Sequence, residues 1–159
     1  MHIDIIGYRS TNKSLVFALY KSVEYYLSTL LSKQILKNLN VTVQIVRNLE
    51  HKEDGYGFCS CEDGFVAWPK HFTIELCGSK SLRFMIQTLA HECIHIKQYA
   101  TRQMVYRNNV TLWEGKQYTE DDEEQHAYED LPWEKDAYSN EKALFRGLIN
   151  KNIVGYIND

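Results

Sequence analysis

The sequence predicts an α+β domain in which a small mixed sheet packs on a long central helix. Three observations lead there. Residues 2–6 and 41–46 are β-branched runs, residues 15–36 and 80–101 carry apolar side chains at helical spacing, and most strand-like runs fall before the second long helix. A chain of 159 residues, 44% hydrophobic and 25% charged, is sized for one domain, 1–159, whose core needs no disulfide.

The elements follow in order. Residues 2–6 (HIDII) form a first strand. Thr11, Asn12 and Ser14 offer N-caps to an amphipathic helix over 15–36, with Leu15, Leu19, Val23, Tyr26, Leu30 and Ile35 along one face and Asn38 and Asn40 as stop signals. Residues 41–46 (VTVQIV) alternate as a strand. A polar turn region at 48–55 leads to runs 56–61 and 64–68, which flank Glu62-Asp63-Gly64 and predict a hairpin ended by Pro69. Residues 71–76 (HFTIEL) are another strand. The helix over 80–101 places Leu82, Ile86, Leu89, Cys93 and Ile96 on its apolar stripe. Residues 110–118 predict a hairpin turning at Glu114-Gly115, and 119–131 an exposed acidic loop. Pro132 then opens a helix over 133–148 that carries Trp133, Ala137, Leu144 and Leu148 at helical spacing.

Charge narrows the function classes. The formal net charge is −3, and residues 119–131 hold seven acids and no Lys or Arg, leaving the rest of the chain mildly basic. No basic run or stripe argues for nucleic acid as a partner. No stretch approaches 18 apolar residues, so a membrane span is not expected, and the N-terminus lacks the basic and apolar regions of an export signal. The expected location is therefore the cytoplasm, with Cys59, Cys61, Cys77 and Cys93 reduced.

Residues 91–95 read His-Glu-Cys-Ile-His and lie within the second long helix. Residues four apart share a helix face, with Cβ atoms about 5–6 Å apart, so His91 and His95 can converge on one zinc ion. Glu92 leans to one side of that metal, where a carboxylate serves as a general base. Both histidines point away from the stripe of Leu89 and Cys93, toward a cleft. A catalytic zinc needs a third protein ligand. Glu134, near the start of the next helix, is the best candidate, with Glu129, Asp130, Asp136, Glu141 and His126 as rivals.

The His-Glu-x-x-His helix, followed by a later helix with Pro132-Trp133-Glu134 and Ala137, resembles the gluzincin metallopeptidases. Within that clan the short chain is similar to the minigluzincins and to compact metallopeptidase-like proteins of phage genomes. The resemblance covers residues 80–101 and 132–147. It implies a zincin-like fold layered around an active-site helix and one catalytic Zn²⁺ held by His91, His95 and Glu134. It further implies Glu92 as the base and a peptide or protein as the substrate. One position departs from the pattern. Many gluzincins carry an Asp four residues after the ligand Glu to orient the first His, and here that residue is Tyr138. Some other oxygen acceptor is then expected behind His91.

The oxyanion of peptide hydrolysis needs a donor, and Tyr138, one turn after Glu134, is the candidate, beside Tyr128 and His126 of the acidic stretch. Either the strand at 71–76 or the run at 64–68 offers an edge for an extended substrate. The run Glu120–Glu124 is a solvated loop or, more sharply, a selector of basic substrates or an inhibitory flap near the cleft. Cys59, Cys61, Cys77 and His71 lack the paired spacing of a structural zinc site, and Cys93 reads as packing. Two further readings share the motif: a zincin-like scaffold that binds zinc without catalysis, and a SprT-like protease acting on DNA-bound protein, which lacks support here in a zinc ribbon or basic tail.

Overall fold

The computed structural model describes residues 1–49, 55–64 and 66–155. Its first sheet is built from β1 (His2–Gly7), β2 (Asn40–Val46), β3 (Gly57–Cys61) and β4 (His71–Cys77), in the order β1-β2-β4-β3. β1, β2 and β4 run parallel, and β3 lies antiparallel on the edge beside β4. The register aligns Ile5, Val43, Ile74 and Cys59 in one row across all four strands. Along β2 and β4 the buried residues alternate: Val41, Val43 and Ile45, then Phe72, Ile74 and Leu76. This period of two shows that one face of the sheet is covered and the other is not.

Helices cover that face. α1 (Lys13–Leu30) starts where the Asn12 side chain accepts from the Leu15 N–H, and it buries Leu15, Leu19, Val23 and Leu27. α3 (Leu82–Ala100) starts at Ser81, whose hydroxyl accepts from Phe84 N–H. The buried Tyr26 hydroxyl donates to the Ile86 carbonyl at 3.1 Å and fixes α1 against α3. α5 (Pro132–Asn150) packs along α3 through Ala137, Leu144 and Leu148, so α3 is enclosed on several sides. One core cluster joins the sheet, α1, α3 and α5.

The first long helix is shorter than its periodicity predicts. Leu31 is extended (φ −124°, ψ 149°), and Ser32 caps a separate turn, α2 (Lys33–Leu36). The Ser32 side chain takes a helix-starting N–H and so competes with continuation. The predicted hairpin also changes partners. β3 pairs with β4, not with 64–68, and among the described residues of 64–68 none is strand. Asp63 closes the connecting loop by accepting from the N–H groups of Lys70 and His71. Most of the predicted turn at 48–55 lies outside the described residues.

After α3 the chain forms a second sheet of β5 (Met104–Arg107), β6 (Val110–Trp113) and β7 (Lys116–Thr119). Positive φ at Asn108 and Asn109, and again at Glu114 and Gly115, gives two tight hairpin turns that match strand twist. The expected hairpin at 110–118 is thus two thirds of a three-stranded meander. The acidic stretch is not a plain loop: Thr119 and Asp122 form a capping box that opens α4 (Glu120–Glu124), and a 3₁₀ turn follows at Tyr128–Asp130. Met104, Leu131 and Trp133 make a small separate core under this region.

Candidate metal centre

α3 and α5 bring His91, His95 and Glu134 together, all buried. His91 Nε2 lies 3.1 Å from Glu134 Oε2, and His95 Nε2 lies 3.4 Å from Glu134 Oε1. Three ligands at tetrahedral positions around zinc, each 2.0–2.1 Å away, stand about 3.3 Å apart. Each histidine meets a different Glu134 oxygen, and one ligand atom from each of the three residues lies within 4.8 Å of the others, so the group could hold a metal ion through two imidazoles and one carboxylate.

The sequence rivals for the third ligand go elsewhere. Asp130 pairs with Lys135 at 2.9 Å, and Glu129 is exposed. His126 Nδ1 bonds the Asp122 carbonyl, and Asp136 accepts from Gln98. Glu141 is the oxygen acceptor behind His91: its Oε2 accepts from His91 Nδ1 at 2.9 Å, while Gln87 donates to its Oε1 at 3.5 Å. It stands two helical turns after Glu134, on the same face of α5. His95 has its own support in Gln98, which is fully buried. The Gln98 Oε1 accepts from His95 Nδ1 at 2.9 Å, and its Nε2 donates to the Trp133 carbonyl and to Asp136, each at 2.9 Å. Both imidazoles are thereby turned with Nε2 toward Glu134, as outer partners of a metal site do.

The electrostatics follow from this packing. Burial pulls the His91 pKa down, but the Glu134 and Glu141 carboxylates outweigh it and hold the imidazole above its usual range. Burial likewise opposes the Glu134 charge, yet hydrogen bonds from both histidines keep its pKa below the ordinary carboxylate value. Glu92 behaves differently: burial dominates and raises its pKa, although His95 and His91 draw it back.

Glu92 forms a wall between two cavities. One, about 330 Å³, is lined by Gly57, Phe84, Thr88, His91, Glu92 and Tyr138 among others. The other, about 400 Å³, opens on the His95 and Glu134 side. Gly57 and Phe58, at the start of β3, border both. A Cβ at Gly57 would stand 2.5 Å from Thr88 Cγ2 and 2.7 Å from Glu92 Oε1, so glycine is required for the strand to pass this close to the carboxylate. The edge beside the cleft is therefore β3. The strand at 71–76 is interior, between β2 and β3, so it cannot supply an edge.

Tyr138 is half exposed and lays its ring against His91, with centroids 4.7 Å apart. Tyr128 approaches from the 3₁₀ turn, where its hydroxyl interacts with the Glu134 carboxylate. His126 is exposed and engaged with the Asp122 carbonyl. The cysteines are free, with Cys93 buried on the apolar side of α3, and His71 pairs with Asp63 at 2.6 Å. No second group able to hold a metal forms among the described residues. Nor is any helix among them long and apolar enough to cross a membrane.

Comparisons with protein-family models, curated proteins and solved structures find no match for this chain.

Proposed function

We propose that the protein is a zinc-dependent peptidase. The observation that carries this reading is the convergence of buried His91, His95 and Glu134, whose ligand atoms lie within 4.8 Å of one another, with the buried Glu92 carboxylate in the wall of the same cleft. Those three residues would hold the metal. Once bound, zinc supplies Lewis acidity, which polarises a peptide carbonyl and acidifies water.

The chain's own residues do the rest. Glu92 takes a proton from the attacking water as the new C–O bond forms, then delivers it to the amine nitrogen as the C–N bond breaks. The upward pKa shift from burial suits a group that must accept and release a proton near neutrality. Tyr138, whose hydroxyl has no hydrogen-bond partner among the described residues, is the donor assigned to the oxyanion. The edge of β3 offers main-chain hydrogen bonds to an extended substrate.

Elemental analysis of wild type, His95→Ala and Glu134→Ala tests the metal, and Glu92→Gln tests the chemistry. The expected result is one zinc per chain in wild type, loss in His95→Ala, weakened retention in Glu134→Ala, and Glu92→Gln that keeps zinc but cleaves no peptide. Full activity in Glu92→Gln overturns the mechanism. Zinc bound without hydrolysis of any peptide by wild type supports a zinc-binding protein instead.

A further inference from the structure

The cavity on the His95 and Glu134 side has walls of unusual chemistry. Phe58, Tyr99, Tyr106, Tyr128 and Trp133 supply aromatic surface from β3, α3, β5, the 3₁₀ turn and α5, and Glu123 of α4 adds a carboxylate. Glu123 is half buried, and its carboxylate has no hydrogen bond or ion pair among the described residues. Among the described residues no lysine or arginine lines the cavity. Its α4 neighbour Asp122 is spent in the capping box, where its carboxylate accepts from the Thr119 N–H and hydroxyl. Aromatic faces present negative potential to a cation, and a half-buried carboxylate completes the attraction.

We propose that this cavity receives the cationic side chain, arginine or lysine, of a peptide substrate residue adjoining the scissile bond, with Glu123 as its counter-charge. The assignment deepens the peptidase reading and rests on it for the meaning of the scissile bond. The cavity's preference itself is a binding property and is measured without turnover. A long alkyl stem lies along the rings while the charged head reaches Glu123, the acid of this cavity that stands outside the His91, His95, Glu134 and Glu92 group. It also gives the acidic run a local role, since Glu123 turns inward while Asp121 and Asp122 are exposed.

The test uses zinc-loaded wild type and Glu123→Gln with acetylated, amidated heptapeptides of alanine whose central residue is arginine, citrulline, norleucine or glutamate. Citrulline keeps the shape of arginine and removes its charge. Binding is followed through tryptophan fluorescence, since Trp133 lines the cavity, and cleavage separately by mass spectrometry. The expected result is binding of the arginine peptide at least about tenfold tighter than citrulline in wild type, and loss of that ratio in Glu123→Gln. Equal binding of the arginine and citrulline peptides by wild type, or an unchanged ratio in Glu123→Gln, overturns the proposal. Charge-selective binding with no cleavage leaves the cavity assignment standing and removes the peptidase reading. Cleavage with no charge preference does the reverse.

Discussion

Gly57→Ala is the sharpest probe of how β3 sets the Glu92 carboxylate, the base of the proposed peptidase. The added methyl would lie 2.7 Å from Glu92 Oε1 and 2.5 Å from Thr88 Cγ2, whereas ordinary contact begins near 3.4 Å. Relief requires about 0.7 Å of movement at Glu92 and about 0.9 Å at Thr88. The strand is fixed by its ladder to β4, and the Glu92 contact is at the far end of a flexible side chain, so the Glu92 carboxylate yields first. A displacement of this size at a proton-transfer group lowers turnover by on the order of 10²-fold. Residual overpacking of about 1–3 kcal/mol lowers the melting temperature by about 3–10 °C. Glu92 lies outside the proposed ligand set of His91, His95 and Glu134, so zinc content is expected to stay at the wild-type value. Thr88→Ser removes the second obstacle, so the double variant Gly57→Ala/Thr88→Ser recovers stability while turnover stays low. Steady-state kinetics, thermal melts and elemental analysis of the three variants decide the matter. Turnover of Gly57→Ala within about twofold of wild type would refute the placement of Glu92 against β3.

Glu141→Gln removes the charge behind His91 Nδ1 but keeps an acceptor, and is expected to weaken zinc affinity about 10–100-fold in a competition titration with a chromophoric chelator, at unchanged stoichiometry. Tyr138→Phe should lower kcat about 10²-fold with zinc content and KM preserved; unchanged kcat would move the oxyanion donor elsewhere. Asp63 provides the pH test. Burial opposes its charge, but hydrogen bonds from Lys70 N–H, His71 N–H and the His71 ring outweigh it, so the folded pKa lies below the unfolded value. Its stabilisation is therefore fully present above the unfolded pKa, about 3.9, and is lost as pH falls through the lower folded value. Asp63→Asn should lower the urea midpoint at pH 7 and at pH 5, and the gap to wild type should close as pH drops below 3.8. A gap that persists at low pH would show that loop closure does not depend on the charge.

What the sequence made legible was local. His91 and His95 are readable as partners because a four-residue step is a fixed helical geometry, and Pro132 marks where the helix carrying Glu134 begins. Glu141 was harder to see. An acid two turns along an amphipathic helix looks the same whether it meets water or an imidazole, and only the packing of α5 on α3 separates the cases. Gln98, one turn past His95, carries no sequence mark of its own burial. The break at Leu31 was hidden because apolar spacing continues through Leu30, Leu31 and Ile35 on both sides of it. β5 escaped notice because it is only four residues long, although the Asn108-Asn109 pair was a readable turn signal. Thr119 and Asp122 likewise spelled a helix start within a stretch whose charge suggested a loop. The edge position of β3 depends on which strands pair, and pairing is not written in any one strand.

The second sheet lies between α3 and α5 in sequence, and its Met104 shares a small core with Leu131 and Trp133 at the start of α5, apart from the main core cluster. Its turns at Asn108-Asn109 and Glu114-Gly115 are exposed and self-contained. The parts that would handle the metal are thus mounted on the main scaffold, while Met104 and Tyr106 of the small sheet face the neighbouring cavity. Such an arrangement works like a fixed tool with an exchangeable jaw. Lengthening a hairpin or swapping a residue on β5 would reshape what the cleft admits without shifting α3 against α5, so new preferences can be tried while the chemistry stays where it is.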